Sequence, residues 1–270
     1  MTSSSFGKVE TPEYRFISVV REARLTIITI ERPEVRNALH GPAQRELEQA
    51  FDAYRDNPDQ WAAIITGSGE RAFCAGHDLK QQAGGGGMQL PGSGFAGLTS
   101  RSDLAKPVIA AVNGLALGGG FETVLACDIV VAAEHAEFAL PEARVGLAAL
   151  GGGLHRLSRA IGVTRAMAMI LTGSRIDAPQ AYQMGLVNEV TSGATLMDAA
   201  RRWAAAILAC SPMSVRASKE ALLHGLALTP QEAVAAQWAL PSVRAMLASK
   251  DAEEGPRAFT ERRPPRWQGR

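Results

Sequence analysis

Cysteine is scarce. The 270 residues hold three, Cys74, Cys127 and Cys210, far apart and without a CxxC spacing. Three cannot all pair, so a disulfide scaffold is excluded, and a thiolate metal site has no ligand set. Charge of one sign is lacking too. The formal net charge is +1, and no basic stripe runs through the body of the chain, which argues against a nucleic-acid binder. No uninterrupted apolar run approaches the ~18 residues of a membrane span. Residues 1–13 lack the apolar core of a secretory signal, so a flexible N-terminal tail and a cytoplasmic location are expected. Several catalytic signatures are missing as well. There is no GxxxxGK[ST], no GxSxG and no HExxH; His77, His135 and His155 show no paired ligand spacing, and no metal is expected. GSGFAG at 92–97 matches GxGxxG in form, but it follows a glycine run and Pro91 rather than a strand, so a dinucleotide site is not expected there.

What is present is 46% hydrophobic and 20% charged, enough for a packed core in one large domain or a domain with an appendage. Apolar runs at 16–20, 25–30, 61–67, 107–112, 128–133, 137–140 and 186–190 read as strands, with Arg21–Arg24 as a turn. Gly41-Pro42 opens a helix carrying Leu47, Ala50, Phe51 and Tyr54 at helical spacing. Helical patterns recur at 154–161, 165–173 and 178–185, and dominate after Thr191, punctuated by Pro212, Pro230 and Pro241. Wide alanine-rich faces in this last region suit either an intramolecular bundle or a subunit interface. The glycine-rich stretch 81–97 reads as either a mobile lid or a surface insertion.

One segment carries the chemistry. GLALGGGFE at 114–122 places three glycines after a buried strand and a carboxylate just beyond them. Gly119 would begin a short helix, where free N–H groups favour negative charge, and Glu122 would lie on the same face one turn on. AFCAGHDL at 72–79 is a second glycine-containing turn after a buried strand, able to supply the other half of an oxyanion hole. Glu142, in FALPEARVGL at 138–147, adds a second carboxylate. Two acids flanking two backbone donors could hold an enolate and move protons on one face of a substrate.

These segments, with ERPEVRNAL (31–39), KPVIAAVNGLALGGGFE (106–122), CDIVVAAEHAEFALPEARVGL (127–147), LTGSRIDAPQAYQMGLVNEV (171–190) and EGPRAFTERRPPRWQGR (254–270), resemble the crotonase, or enoyl-CoA hydratase/isomerase, superfamily over nearly the whole chain. The pieces GGGFE, FALPEA, GSGFAGLT and the C-terminal tail look most like carnitinyl-CoA dehydratases and their hydratase relatives. The resemblance implies an α/β fold: a spiral of ββα turns over residues 14–191, then a C-terminal helical region, 192–270, that forms homotrimers, often stacked as hexamers, and covers CoA. It implies an enoyl-CoA hydratase with Glu122 and Glu142 as the acid/base pair and the N–H groups of His77 and Gly119 as the oxyanion hole. CoA would lie along Val35, Arg36, Ala75, Gly76, Asp78, Leu79 and Lys80, with Phe259 and Arg262 over the adenine end. No cofactor is implied beyond the CoA of the substrate. Dehydration of a carnitinyl-CoA and double-bond isomerisation are the alternatives; RNA binding through the arginine-rich tail, or silent CoA binding, are rivals of another class. The chain departs from the usual pattern at Ala149 and Leu150, where typical hydratases carry a proline-glycine turn. Leu150 is expected to narrow or dry the substrate pocket.

Overall fold

The computed structural model describes residues 13–79 and 90–270. The expected tail therefore lies almost wholly outside the described residues, as do Lys80 and most of the glycine run. Two sheets organise the rest. Strands β1 (Ile17–Glu22), β2 (Leu25–Ile30), β3 (Ala62–Gly67), β5 (Val108–Val112), β7 (Ile129–Ala133) and β10 (Glu189–Thr191) form a six-stranded sheet in the order β1-β2-β3-β5-β7-β10. Only the β1–β2 pair is antiparallel. Strands β4 (Ala72–Cys74), β6 (Leu115–Leu117), β8 (Glu137–Ala139) and β9 (Ile176–Asp177) form the second sheet in that order. The chain alternates between sheets: β3 leads to β4, β5 to β6, and β7 to β8. This alternation is the expected spiral.

The central strands are buried end to end, which is why they read as unbroken apolar runs rather than as alternating patterns. The sequence reading missed β4, β6 and β9, which have three, three and two residues. Too few alternations exist in them to produce a period. The expected four-residue turn after β1 is a two-residue hairpin instead, with Ala23 at a φ of +50°. The strand expected at 186–190 begins only at Glu189, because Asn188 uses its side chain to accept from Val130 N–H at 2.8 Å.

Helix α1 (Gly41–Asp56) starts at Gly41-Pro42 as read, capped by His40, and buries Leu47, Ala50, Phe51 and Tyr54. Helix α2 (Gly119–Leu125) follows β6, α3 (Gly153–Ile161) and α4 (Val163–Thr172) follow the Glu142 segment, and α5 (Ala178–Gln183) precedes β10. Rings of Phe121 on α2 and Phe138 on β8 meet at 5.4 Å between centroids, both fully buried. Burial of such a ring contributes about 1.5–3 kcal/mol and pins α2 to the second sheet.

Five helices close the chain: α6 (Leu196–Leu208), α7 (Pro212–Gly225), α8 (Pro230–Ala236), α9 (Pro241–Leu247) and α10 (Lys250–Thr260). The alanine face of α6 does not await a partner. Ala199, Ala200 and Ala204 are buried against Ile64, Ile109 and Val131 of the large sheet in a second core. Exposed apolar side chains sit further on, at Leu222, Leu223, Leu226, Val234, Trp238 and Leu247. The 81–97 stretch is likewise not uniformly a surface insertion. Phe95, Ala96 and Gly97 form a buried 3-10 turn packed on α1, and Ala96 N–H donates to Gln44 at 3.2 Å.

Candidate active site

Asn113 explains how β5 turns into β6. Its buried side chain accepts from Gly67 N–H at 3.1 Å and donates to Gly69 and Ala72 carbonyls at 2.7 and 3.1 Å. The turn at the end of β5 is thereby tied to the end of β3, which feeds β4 and the 74–79 turn. The two glycine turns are consequently neighbours. Gly76 has a φ of +94°, and a Cβ there would stand 2.8 Å from Leu117 O and 3.4 Å from Gly119 N. Only glycine permits that approach and that conformation.

Gly119 is the first residue of α2, so its N–H has no intrahelical acceptor. His77 forms an isolated parallel bridge with Leu39: Leu39 N–H donates to Gly76 O at 2.8 Å and Asp78 N–H to Leu39 O at 3.1 Å. This pattern occupies the N–H groups on either side of the bridge and leaves that of His77 without a backbone acceptor among the described residues. Two donors are thus presented by adjoining turns. The His77 ring is half-buried, and burial holds its pKa below the ordinary imidazole value. Its Nδ1 has no partner among the described residues.

Glu122 projects from α2 and is 5% exposed. Its Oε1 accepts from Gly153 N–H, the first residue of α3, at 2.9 Å. Burial raises its pKa; the backbone groups of Gly153 and Gly151 and the charge of Arg156 oppose that rise. Glu142 stands in a 3-10 turn over Pro141–Val145. A Cβ on Gly118 would lie 3.0 Å from its Oε1, so this carboxylate faces the backbone just ahead of Gly119. Its Oε2 is buried with no hydrogen-bond partner among the described residues. Burial, reinforced by the charge of Glu122, pushes its pKa up to about 7. The two acids are therefore unequal. One is held by backbone donors that favour its charge, and the other stands in surroundings that favour its proton.

The expected CoA-binding residues also gather. The 31–39 loop is bolted to the 72–79 turn: Asn37, fully buried, donates to Ser68 and Ala72 carbonyls at 3.0 and 2.7 Å, and Ala75 N–H donates to Arg36 O at 3.0 Å. Arg36 and Asn37 take φ values of +55° and +56°, a left-handed pair that turns the loop back. Arg36, Ala75 and Gly76 are joined in this way, with Val35 and Leu79 near them in the chain. Asp78 is there too, but its carboxylate is taken by Arg32 at 3.2 Å in a largely buried ion pair. Lys80 lies outside the described residues.

Phe259 and Arg262 are not joined to these residues within the chain. Phe259 is 86% exposed at the end of α10, and the residues beyond it fold back, with Trp267 donating to Ala209 O at 2.8 Å and Gly269 packing on Trp61. Leu150 is 81% exposed, while its neighbour Ala149 is buried. In the single chain Leu150 stands in solvent rather than narrowing a closed pocket. Among the described residues no group of three or more metal-capable side chains gathers, and no helix is long and apolar enough to cross a membrane.

Three features of the site escaped sequence reading. Phe95 lays its ring against Gly119, 2.7 Å from where a Cβ would be. The Gly151–Gly153 run forms the cradle of Glu122, and a Cβ on Gly151 would lie 2.7 Å from its Oε2. Arg156 stands one turn into α3 and donates to the carbonyls of Gly151 and Thr99.

Comparison with known proteins gives the chain its relatives. The enoyl-CoA hydratase/isomerase family profile matches residues 21–270. A carnitinyl-CoA dehydratase of Citrobacter koseri is 43% identical over 255 residues, covering 93% of this chain and 97% of that protein. The carnitinyl-CoA dehydratase of Proteus mirabilis is 42% identical over 247 residues, covering 90% and 94%. The crystal structure of an enoyl-CoA hydratase from Mycobacterium tuberculosis matches with a TM-score of 0.89 at 40% identity, over 94% of this chain and 99% of that one. That of an enoyl-CoA hydratase from Mycobacterium marinum matches with a TM-score of 0.89 at 38% identity and the same coverage. With two carboxylates, two adjoining backbone donors and the alternating spiral on which they stand, the chain belongs to the enoyl-CoA hydratase/isomerase family and has the crotonase fold.

Proposed function

We propose that the protein is a hydro-lyase that adds water reversibly across the 2,3 double bond of an enoyl-CoA thioester. The observation that carries this reading is the unequal pair of buried acids beside the two donors. The N–H groups of His77 and Gly119 would hold the thioester oxygen, where charge develops as the enolate forms. Glu122, ionised, takes a proton from water as the hydroxyl bonds to Cβ. Glu142, protonated, delivers its proton to Cα. Water is thereby added across the double bond, and solvent exchange restores the two acids. Val35, Arg36, Ala75, Gly76, Asp78 and Leu79, with Lys80 outside the described residues, would carry the CoA moiety. Phe259 and Arg262, exposed in one chain, would cover CoA on a neighbouring subunit of a trimer.

A second reading rests on the carnitinyl-CoA dehydratase relatives, each above 40% identity over nine-tenths or more of the chain. The same atoms then run in reverse on a β-hydroxyacyl thioester bearing a γ-trimethylammonium group. A panel of enoyl-CoA thioesters, including crotonobetainyl-CoA, separates the two. Loss of the conjugated-thioester absorbance with crotonyl-CoA is the expected result, a strong preference for crotonobetainyl-CoA would select the second reading, and no turnover with any member would refute both.

A further inference from the structure

The proposed reaction needs Glu122 charged and Glu142 protonated, although Glu122 is buried, Glu142 partly so, and the charge of Glu122 disfavours that of Glu142. The structure shows what stands behind Glu122. The chain runs Gly151-Gly152-Gly153 past its carboxylate, with Gly151 against Oε2 and Gly153 N–H on Oε1. On the other side of the same three residues lies Arg156. Its Nη1 donates to Gly151 O at 3.3 Å and its Nη2 to Thr99 O at 2.8 Å. Gly152 has a φ of +100°, and a Cβ there would be only 2.1 Å from Arg156 Nη1. Glycine in that conformation is what lets the guanidinium lie flat against the cradle.

Thr99 belongs to the segment that begins at Gly94 and includes Phe95, whose ring covers Gly119. One half-buried guanidinium thus links the cradle of the acid to the segment that packs on an oxyanion donor. Thr99 and Arg156 are 57 residues apart in sequence, so nothing local explains the bond. Among the described residues, the titratable groups that act on the pair are Glu142 from its 3-10 turn, which interacts with Glu122, and Cys127, just past α2, which interacts with Arg156.

We propose that Arg156 is a positioning residue that keeps Glu122 ionised and its carboxylate aimed, by bracing the Gly151–Gly153 cradle against the Thr99 carbonyl. A cation near a buried carboxylate favours the ionised form, and the two hydrogen bonds to carbonyls fix the cradle so that Gly153 N–H meets Oε1. The inference rests on the hydratase reading for its catalytic meaning, but the ionisation of Glu122 can be followed without turnover.

The test compares Arg156→Gln, Arg156→Lys and wild type. Activity on crotonyl-CoA is measured as kcat and KM across pH, and protonation of Glu122 is read by infrared difference spectroscopy, its carboxyl band assigned as the one lost in Glu122→Gln. Arg156→Gln is expected to lower kcat at least tenfold with KM changed less than about threefold, and to move the acid limb of the profile and the Glu122 band up by about one pH unit. Arg156→Lys keeps a cation without the fork, so it should keep the acid limb near its wild-type position while losing part of kcat. A folded Arg156→Gln variant with unchanged limb and band would overturn the proposal, whatever its kcat. If Arg156→Gln does not fold, Arg156→Lys decides: a limb and band shifted as far as the loss of a whole charge predicts would contradict a role for the cation, and an unshifted limb with lowered kcat would support it. A wild type that turns over no enoyl-CoA would remove the hydratase reading and leave the infrared result to judge Arg156.

Discussion

Glu142 shows how much one side chain concedes for chemistry. Its pKa stands at about 7 against an ordinary 4.5, with burial as the larger cause and Glu122 as a further one. The unfolded chain ionises this group near 4.5 and the folded one near 7, so folding becomes less favourable as pH rises through that window. The group is only partly buried, and solvent screening reduces the effect to on the order of 1 kcal/mol. Glu142→Gln is therefore expected to raise the melting temperature at pH 8 by a few degrees and to leave it near wild type at pH 4.5. Thermal unfolding at the two pH values checks this; equal shifts at both would mean that ionisation is not the source. In the sequence, Glu122 and Glu142 were legible because each follows glycines or a proline that only a turn explains. Arg156 was not. An arginine on an amphipathic helix defaults to solvent, and its acceptors, Gly151 O and Thr99 O, are main-chain atoms that no side-chain pattern announces.

At the scale of elements, β6, the glycine turn and α2 act as one unit. Gly118 bonds back to Ala139 O of β8 at 3.0 Å, Gly120 lies against Cys74 O, and Gly119 meets the Phe95 ring. Substitution at Gly119 therefore has two separable consequences. Gly119→Ala keeps the N–H but drives Cβ into Phe95, and Gly119→Pro also removes the donor. Loss of one oxyanion donor costs roughly 3–4 kcal/mol of transition-state stabilisation, a hundredfold or more in turnover. Adding Phe95→Leu should restore much of the activity of Gly119→Ala and little of that of Gly119→Pro. Equal rescue of both, in variants of wild-type melting temperature, would mean that the glycine serves packing alone. Long elements were readable: α1 and the helical character of the last third from periodicity, and the fully buried β3 and β5 from unbroken apolar runs. In the second sheet β8 was readable as an apolar stretch, whereas β4, β6 and β9 were not, since two or three residues carry no period. The extent of α10 was hidden as well, because Pro256 stands inside a helix that nevertheless continues to Thr260.

The whole molecule is a spiral core with an unfinished surface. Its large sheet is covered by α6 within the chain, which decides for that helix between the intramolecular packing and the subunit interface that its alanine-rich face allowed. Exposed apolar residues include Leu222 and Leu223 on α7, Val234 on α8, Leu247 on α9 and Val163, Met167 and Leu171 on α4. Scattered apolar exposure is ordinary, but contiguous stripes mark contacts. Light scattering at micromolar concentration is expected to give three or six chain masses, and a fully active monomer would refute that assembly and the cover of CoA by Phe259 and Arg262 across subunits. The family was legible from the order of motifs along the chain; the assembly was not, since exposure depends on which residues the fold itself consumes. The proposed chemistry comes down to the division of labour between the two acids. Its most direct test is the rate of loss of the conjugated-thioester absorbance of crotonyl-CoA with wild type, Glu122→Gln and Glu142→Gln at matched fold and concentration. The wild type should turn over, and each variant should lose about 100- to 10,000-fold. More than half the wild-type rate in either variant would contradict the role given to that acid.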